Sequence, residues 1–116
     1  MKKSSAQKHS IEAVRRTGNV YAQLGLPNAG ERLRKARLMN VINDVIQRRE
    51  LTQAQVSELT GLNQADVSRL AHGQGTRFSL SRLLDVIARM GVDIELSQRR
   101  DPKGLLVVEV HELNQA

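Results

Sequence analysis

The side chains with the most usable chemistry are Gln64, Ala65, Ser68 and Arg69, four of six consecutive residues. At 3.6 residues per turn they fall on one side of a helix. An arginine fork can donate two parallel hydrogen bonds to guanine O6 and N7. A glutamine amide pairs with adenine N6 and N7, and alanine is small enough to sit against a thymine methyl. Thr52, Gln53, Asn63 and Arg77 supply the hydroxyl, amide and guanidinium groups that suit backbone phosphates. Asp66 would repel a phosphate, but it suits a helix N-terminus.

Other chemistry is poorly supplied. His9, His72 and His111 lie far apart in the chain, and neither an HExxH motif nor a glycine-rich phosphate loop is present. The glycines on either side of Gln74 lack the preceding strand and following helix that a nucleotide loop needs. His72, alone at the end of its segment, reads as a surface or capping residue. With no cysteine, disulfides and thiolate metal sites are excluded. We expect no enzymatic activity, no cofactor and no metal.

These side chains need elements to hold them. Leu51 to Gly73, LTQAQVSELTGLNQADVSRLAHG, contains two short amphipathic segments hinged at Gly61. Thr52 with Gln55 has the form of a capping box, and Asn63 with Asp66 is a looser version of it. Two helices joined by a short glycine turn form a helix-turn-helix, whose second helix is the one that enters a DNA major groove. In the first helix Ala54, Val56, Ser57 and Leu59 are expected to point inward. Ser57 matters for its size, four residues before the turn glycine where the helices cross closely. Leu62, Val67 and Leu70 should anchor the second helix. That leaves Gln64, Ala65, Ser68, Arg69 and His72 outside.

Upstream, Ala29 to about Arg49 should form a long helix with Leu33, Ala36, Leu38, Met39, Ile42, Val45 and Ile46 as its apolar stripe. Arg32, Arg34, Lys35, Arg37, Arg48 and Arg49 fall largely off that stripe, as solvated surface or as phosphate contacts. Downstream, Ser79 should cap a helix whose stripe is Leu80, Leu83, Leu84, Ile87 and Met90, with Gly91 ending it. The period then changes to 2 at Val92, Ile94 and Leu96, Asp101 to Gly104 form a turn, and LLVVEV (105–110) returns as a strand. A lone hairpin is marginal in water. It must pack on the helices or pair with a second subunit.

Three segments follow: a basic tail over residues 1–18, a helical domain over 19–91 with the motif at 51–73, and C-terminal strands over 92–116 as a possible dimerisation element. Within residues 19–28, Val20, Tyr21, Leu24 and Leu26 make either a lid on the domain or a docking element. The chain has 116 residues and a net charge of +6. Residues 1–17 hold five basic groups against Glu12, or +4, and the remaining 13 basic and 11 acidic groups give +2. Attraction to polyanions is thus concentrated in a tail whose composition reads as disordered. Tyr21 and Phe78 are the only aromatics, so the core must be aliphatic. No apolar run approaches a membrane span and no signal peptide precedes the domain, so we expect a cytoplasmic protein.

The motif resembles the Xre/Cro/cI-like helix-turn-helix family through its Thr-Gln-Ala-x-Val core (52–56), Gly61, and the Leu-x-x-Gly ending at Leu70 and Gly73. Its flanks, GNVYAQLGLPNAGERLRKARL and FSLSRLLDVIARMGVDIEL, look like those of HigA-type antitoxins and the small regulators related to them. The likeness spans roughly residues 18–97. It implies a mainly α, five-helix-type, lambda-repressor-like DNA-binding domain, here with a C-terminal β-hairpin or strand pair. It also implies a homodimer on double-stranded operator DNA in its own promoter, and neutralisation of a RelE/HigB-like ribonuclease toxin. Carried over by position, Gln64, Ala65, Ser68 and Arg69 are the base-reading set. The LLVVEV strand departs from the shortest family members. A stand-alone repressor of the same fold, or an interaction protein that kept the helices but not DNA binding, are the competing readings.

Overall fold

The computed structural model describes residues 28–113, and the expectations for residues 1–18, 19–27 and 114–116 lie outside them. Helix α1, Ala29–Arg48, is the spine. Leu38, Ile42 and Val45 bury completely because they recur at three- and four-residue steps. Helices α2 (Gln53–Thr60) and α3 (Gln64–Ala71) follow, then a 3-10 turn at Gly75–Arg77 and helix α4 (Leu80–Arg89). Strands β1 (Ile94–Arg100) and β2 (Leu106–Glu112) complete a mainly helical fold with a two-stranded antiparallel sheet.

The caps are those the residue types demand. Thr52 and Gln55 form a full capping box on α2, with N···O distances of 3.1 and 2.8 Å. Asn63 caps α3 through the Asp66 N–H at 2.8 Å, and Ser79 caps α4 through the Arg82 N–H at 3.1 Å. Three helices end alike, with the paired bonds of a Schellman motif around one left-handed residue. Gly73 and Gly91 occupy that position after α3 and α4, whereas Glu50, at φ 53°, occupies it after α1.

Helix α1 and its C-cap residue Arg49 also hold carbonyls of the other elements. Asn43 Nδ2 donates to the Leu70 carbonyl at 3.1 Å, Arg49 Nη1 to that of Met90 at 2.8 Å, and Lys35 Nζ to that of Thr76 at 3.1 Å. Arg48 pairs with Asp44 at 2.9 Å and with Glu112 at 2.7 Å, and Arg34 Nε donates to Gln98 Oε1 at 2.8 Å. Burial works against the charge on Arg48, but the hydrogen bonds and charges of Glu112 and Asp44 outweigh it and raise its pKa. Several cations of the basic face of α1 are therefore already engaged in internal bonds.

Four positions differ from expectation for geometric reasons. Arg37 is 1% exposed. It lies in the four-residue row between Leu33, which packs with Val107 and Val108 beneath the hairpin, and Val41 of the main core. Its Nε and Nη1 have no hydrogen-bond partner among the described residues, and burial lowers its pKa. Ala54 is exposed because it sits about 160° around α2 from Val56. Leu59 is 46% exposed, since the buried side of this two-turn helix is taken by Val56 and Thr60. Leu84, 43% exposed, gives up its expected core position to Val86.

The hairpin closes within the chain, in register from Ile94↔Glu112 to Arg100↔Leu106. Its turn is held by Asp101, whose Oδ1 accepts the Lys103 and Leu105 N–H groups at 2.9 Å each. Val108 is fully buried and Val110 joins the main core, so β2 packs along α1 and the sheet does not stand alone.

Candidate nucleic-acid interface

The turn between α2 and α3 is built by hydroxyls as much as by its glycine. Gly61 is left-handed at φ 77°, and its N–H donates to the Ser57 carbonyl at 2.8 Å. Ser57 Oγ donates to the Leu62 carbonyl. The buried Thr60 hydroxyl donates to the Val56 carbonyl at 2.7 Å and accepts the Leu62 N–H at 3.3 Å. Leu62, Val67 and Leu70 then bury against the core and fix the rotation of α3 about its axis. Ser57, expected to matter for its size, thus bonds the turn through its hydroxyl. The part played by Thr60 was not visible beforehand, because a threonine at a helix end usually reads as surface.

With Val67 and Leu70 inward, helical spacing turns Ala65, Ser68, Arg69 and His72 outward. Gln64 and Ala65 are exposed in the first turn, whereas Ser68 and Arg69 are half-buried. His72 caps the helix end, and its Nδ1 lies 2.8 Å from the Ser68 carbonyl. A carbonyl only accepts, so Nδ1 is the donor in this contact. Thr52, Gln53, Asn63 and Arg77 are all exposed. The first three stand at the N-termini of α2 and α3, whose peptide dipoles favour an anion. Arg77 closes the 3-10 turn that follows α3.

Arg69 is not a free fork. Its Nη1 donates to Asp66 Oδ1 at 2.6 Å, while Asp66 Oδ2 accepts from Arg82 Nη2 of α4 at 3.0 Å. The Arg82 guanidinium lies 4.7 Å above the centroid of the buried Phe78 ring. Residue types alone did not bring Arg82 into the site. The available signal was its spacing: Phe78 and Arg82 are four apart across a capped helix start, which stacks one on the other.

Gly75 seats this surface on the spine. A Cβ there would fall 1.9 Å from Met39 Sδ and 3.3 Å from Leu70 Cδ2, so the chain leaving α3 touches α1 with no room for a side chain.

A helix-turn-helix domain model matches residues 20–99, spanning the turn, both motif helices, α4 and most of β1. The chain belongs to this helix-turn-helix family. A solved chain that carries the name of an XRE family transcriptional regulator is similar to it at 36% identity and a TM-score of 0.58. That likeness covers 66% of this chain and 86% of the other. Among curated proteins nothing matches. In helix-turn-helix domains generally, the second helix of the motif is the one that enters the major groove. No helix among the described residues is long and apolar enough to cross a membrane.

Proposed function

We propose that this helix-turn-helix protein is a sequence-specific DNA-binding regulator that represses its own operon and neutralises a RelE/HigB-like ribonuclease toxin encoded beside it. The carrying observation is the outer face of α3, which is held in fixed rotation and presents Gln64, Ala65, Ser68 and Arg69. In this reading Arg69 takes a guanine and Gln64 an adenine, while Ala65 packs on a thymine methyl. Thr52, Gln53, Asn63 and Arg77 hold the flanking phosphates. The protein acts as a homodimer on a two-fold operator, because one two-turn recognition helix reads too few base pairs to be selective.

The antitoxin role is supported by the likeness of the segments before and after the motif to HigA-type antitoxins. A stand-alone repressor is the second reading, favoured by the name of the similar XRE family regulator. One experiment separates them: co-expression with the neighbouring open reading frame, followed by purification on a tag carried by this chain. A small basic partner that co-purifies, and that is toxic when expressed alone, supports the antitoxin. A neighbour that neither binds nor harms the cell leaves the stand-alone repressor. Selection from random duplexes that enriches no sequence would remove both.

A further inference from the structure

Asp66 is tied down on three sides. Its backbone N–H donates to the Asn63 cap at 2.8 Å, and its two carboxylate oxygens accept from Arg69 at 2.6 Å and from Arg82 at 3.0 Å. Its side chain is only 13% exposed, whereas those of Arg69 and Arg82 are 38% and 51% exposed. The carboxylate therefore lies behind the two guanidinium groups, which face solvent. Phe78, buried beneath Arg82, fixes the plane of the second guanidinium. Each fork has five N–H donors, and each gives one hydrogen bond to Asp66. The trio joins the recognition helix to α4, and its formal charge is +1, from two cations and one anion.

We propose that Asp66 is the positioning residue that sets the specificity of the interface, and that Arg82 is a second DNA-contacting arginine presented beside Arg69. This rests on the reading of α3 as the base-reading helix and adds a mechanism to it. Two long side chains held in one orientation lose little freedom when they meet a matching duplex. Held behind them, Asp66 also weakens attraction to phosphate that is not in register. A contact that lowers affinity for wrong sites more than for the right one raises discrimination. A bridge that merely stabilised the fold would change unfolding without changing the preference between duplexes.

The test uses the full chain with Asp66→Asn and Arg82→Ala, compared with the unaltered protein. Binding is measured by fluorescence anisotropy over a series of KCl concentrations. The probes are the duplex enriched by the unaltered protein and a scrambled duplex of equal length. Asp66→Asn releases both forks, so the scrambled duplex should bind several-fold tighter and the ratio of the two affinities should fall roughly 10-fold. The salt slope should steepen by about one phosphate contact. Arg82→Ala should weaken binding to the enriched duplex roughly 10-fold and make its salt slope shallower by about one contact. Urea midpoints read in parallel confirm that each variant is folded. If Asp66→Asn unfolds, Arg82→Ala tests the second contact by itself.

An unchanged ratio and slope in folded Asp66→Asn, or unchanged binding by Arg82→Ala, overturns this inference and leaves the DNA-reading proposal standing. If the unaltered protein enriches no duplex, the DNA-reading proposal fails and this inference falls with it.

Discussion

Gly75→Ala tests whether the recognition helix is seated by close approach to α1. The added Cβ would lie 1.9 Å from Met39 Sδ and 2.7 Å from its Cγ. Comfortable carbon contacts begin near ~3.5 Å, so Met39 would have to withdraw by about 1.5 Å. Met39 is 7% exposed and packed in the main core, which leaves it little space to enter. Overpacking of this kind costs about 1–3 kcal/mol. Gly75 is not left-handed, so alanine meets no backbone penalty there and should recover about 0.4–1 kcal/mol by restricting the unfolded chain. The net expectation is a loss of about 1–2 kcal/mol, obtained by setting the overpacking cost against that gain. Urea unfolding followed by far-ultraviolet circular dichroism measures it, at fixed protein concentration because a dimer would couple stability to concentration. Repeating the change in a Met39→Ala background removes the clash, so Gly75→Ala should there be neutral or mildly stabilising. A Gly75→Ala variant as stable as the parent would refute the reasoning. So would an equal loss in both backgrounds, because the cost would then lie in the backbone and not in Met39.

Two further changes should stabilise the protein. Arg37→Met should raise stability by about 1–3 kcal/mol, because a buried cation with two unpaired N–H groups is replaced by an apolar chain of similar length. Burial lowers the Arg37 pKa, so the charged form is disfavoured in the fold. That penalty is present wherever Arg37 is charged in both states and is relieved only in strong alkali. The gain should therefore be flat across neutral pH, and a lower urea midpoint for Arg37→Met would contradict it. Glu50→Gly replaces the non-glycine residue at a position that Gly73 and Gly91 fill in the other helices. Relief of the left-handed strain, about 1–2 kcal/mol, exceeds the added freedom of the unfolded chain and leaves a gain of about 0.5–1 kcal/mol. Thermal unfolding checks this, and a decrease would show that the Glu50 side chain supplies more than the strain costs.

The helices were legible because their signals are local. Thr52, Asn63 and Ser79 cap within three residues of themselves, and Gly61 needs only its own φ. The hairpin was legible from the change of period and the Asp101 turn, although both strands begin one or two residues later and end two or three residues further than alternation suggested. What escaped depends on contacts distant in sequence. Arg37 reads as surface until β2 is laid over α1, and Leu59 reads as core until Thr60 satisfies its own hydroxyl and takes the buried side. The outward positions of Gln64 and Ala65 followed from the spacing of Val67 and Leu70. Arg82 did not, because it enters from another helix and is placed by a carboxylate and a ring belonging to separate elements.

The central claim is that α3 reads bases, and Arg69→Ala tests it most directly. Anisotropy titration of the enriched duplex should show a loss of about 1–3 kcal/mol, roughly 5- to 150-fold in affinity, with the dependence confined to one guanine position. Binding to the scrambled duplex should change far less. An unchanged affinity for the enriched duplex, or an equal loss on both duplexes, would contradict the assignment of Arg69 to base reading.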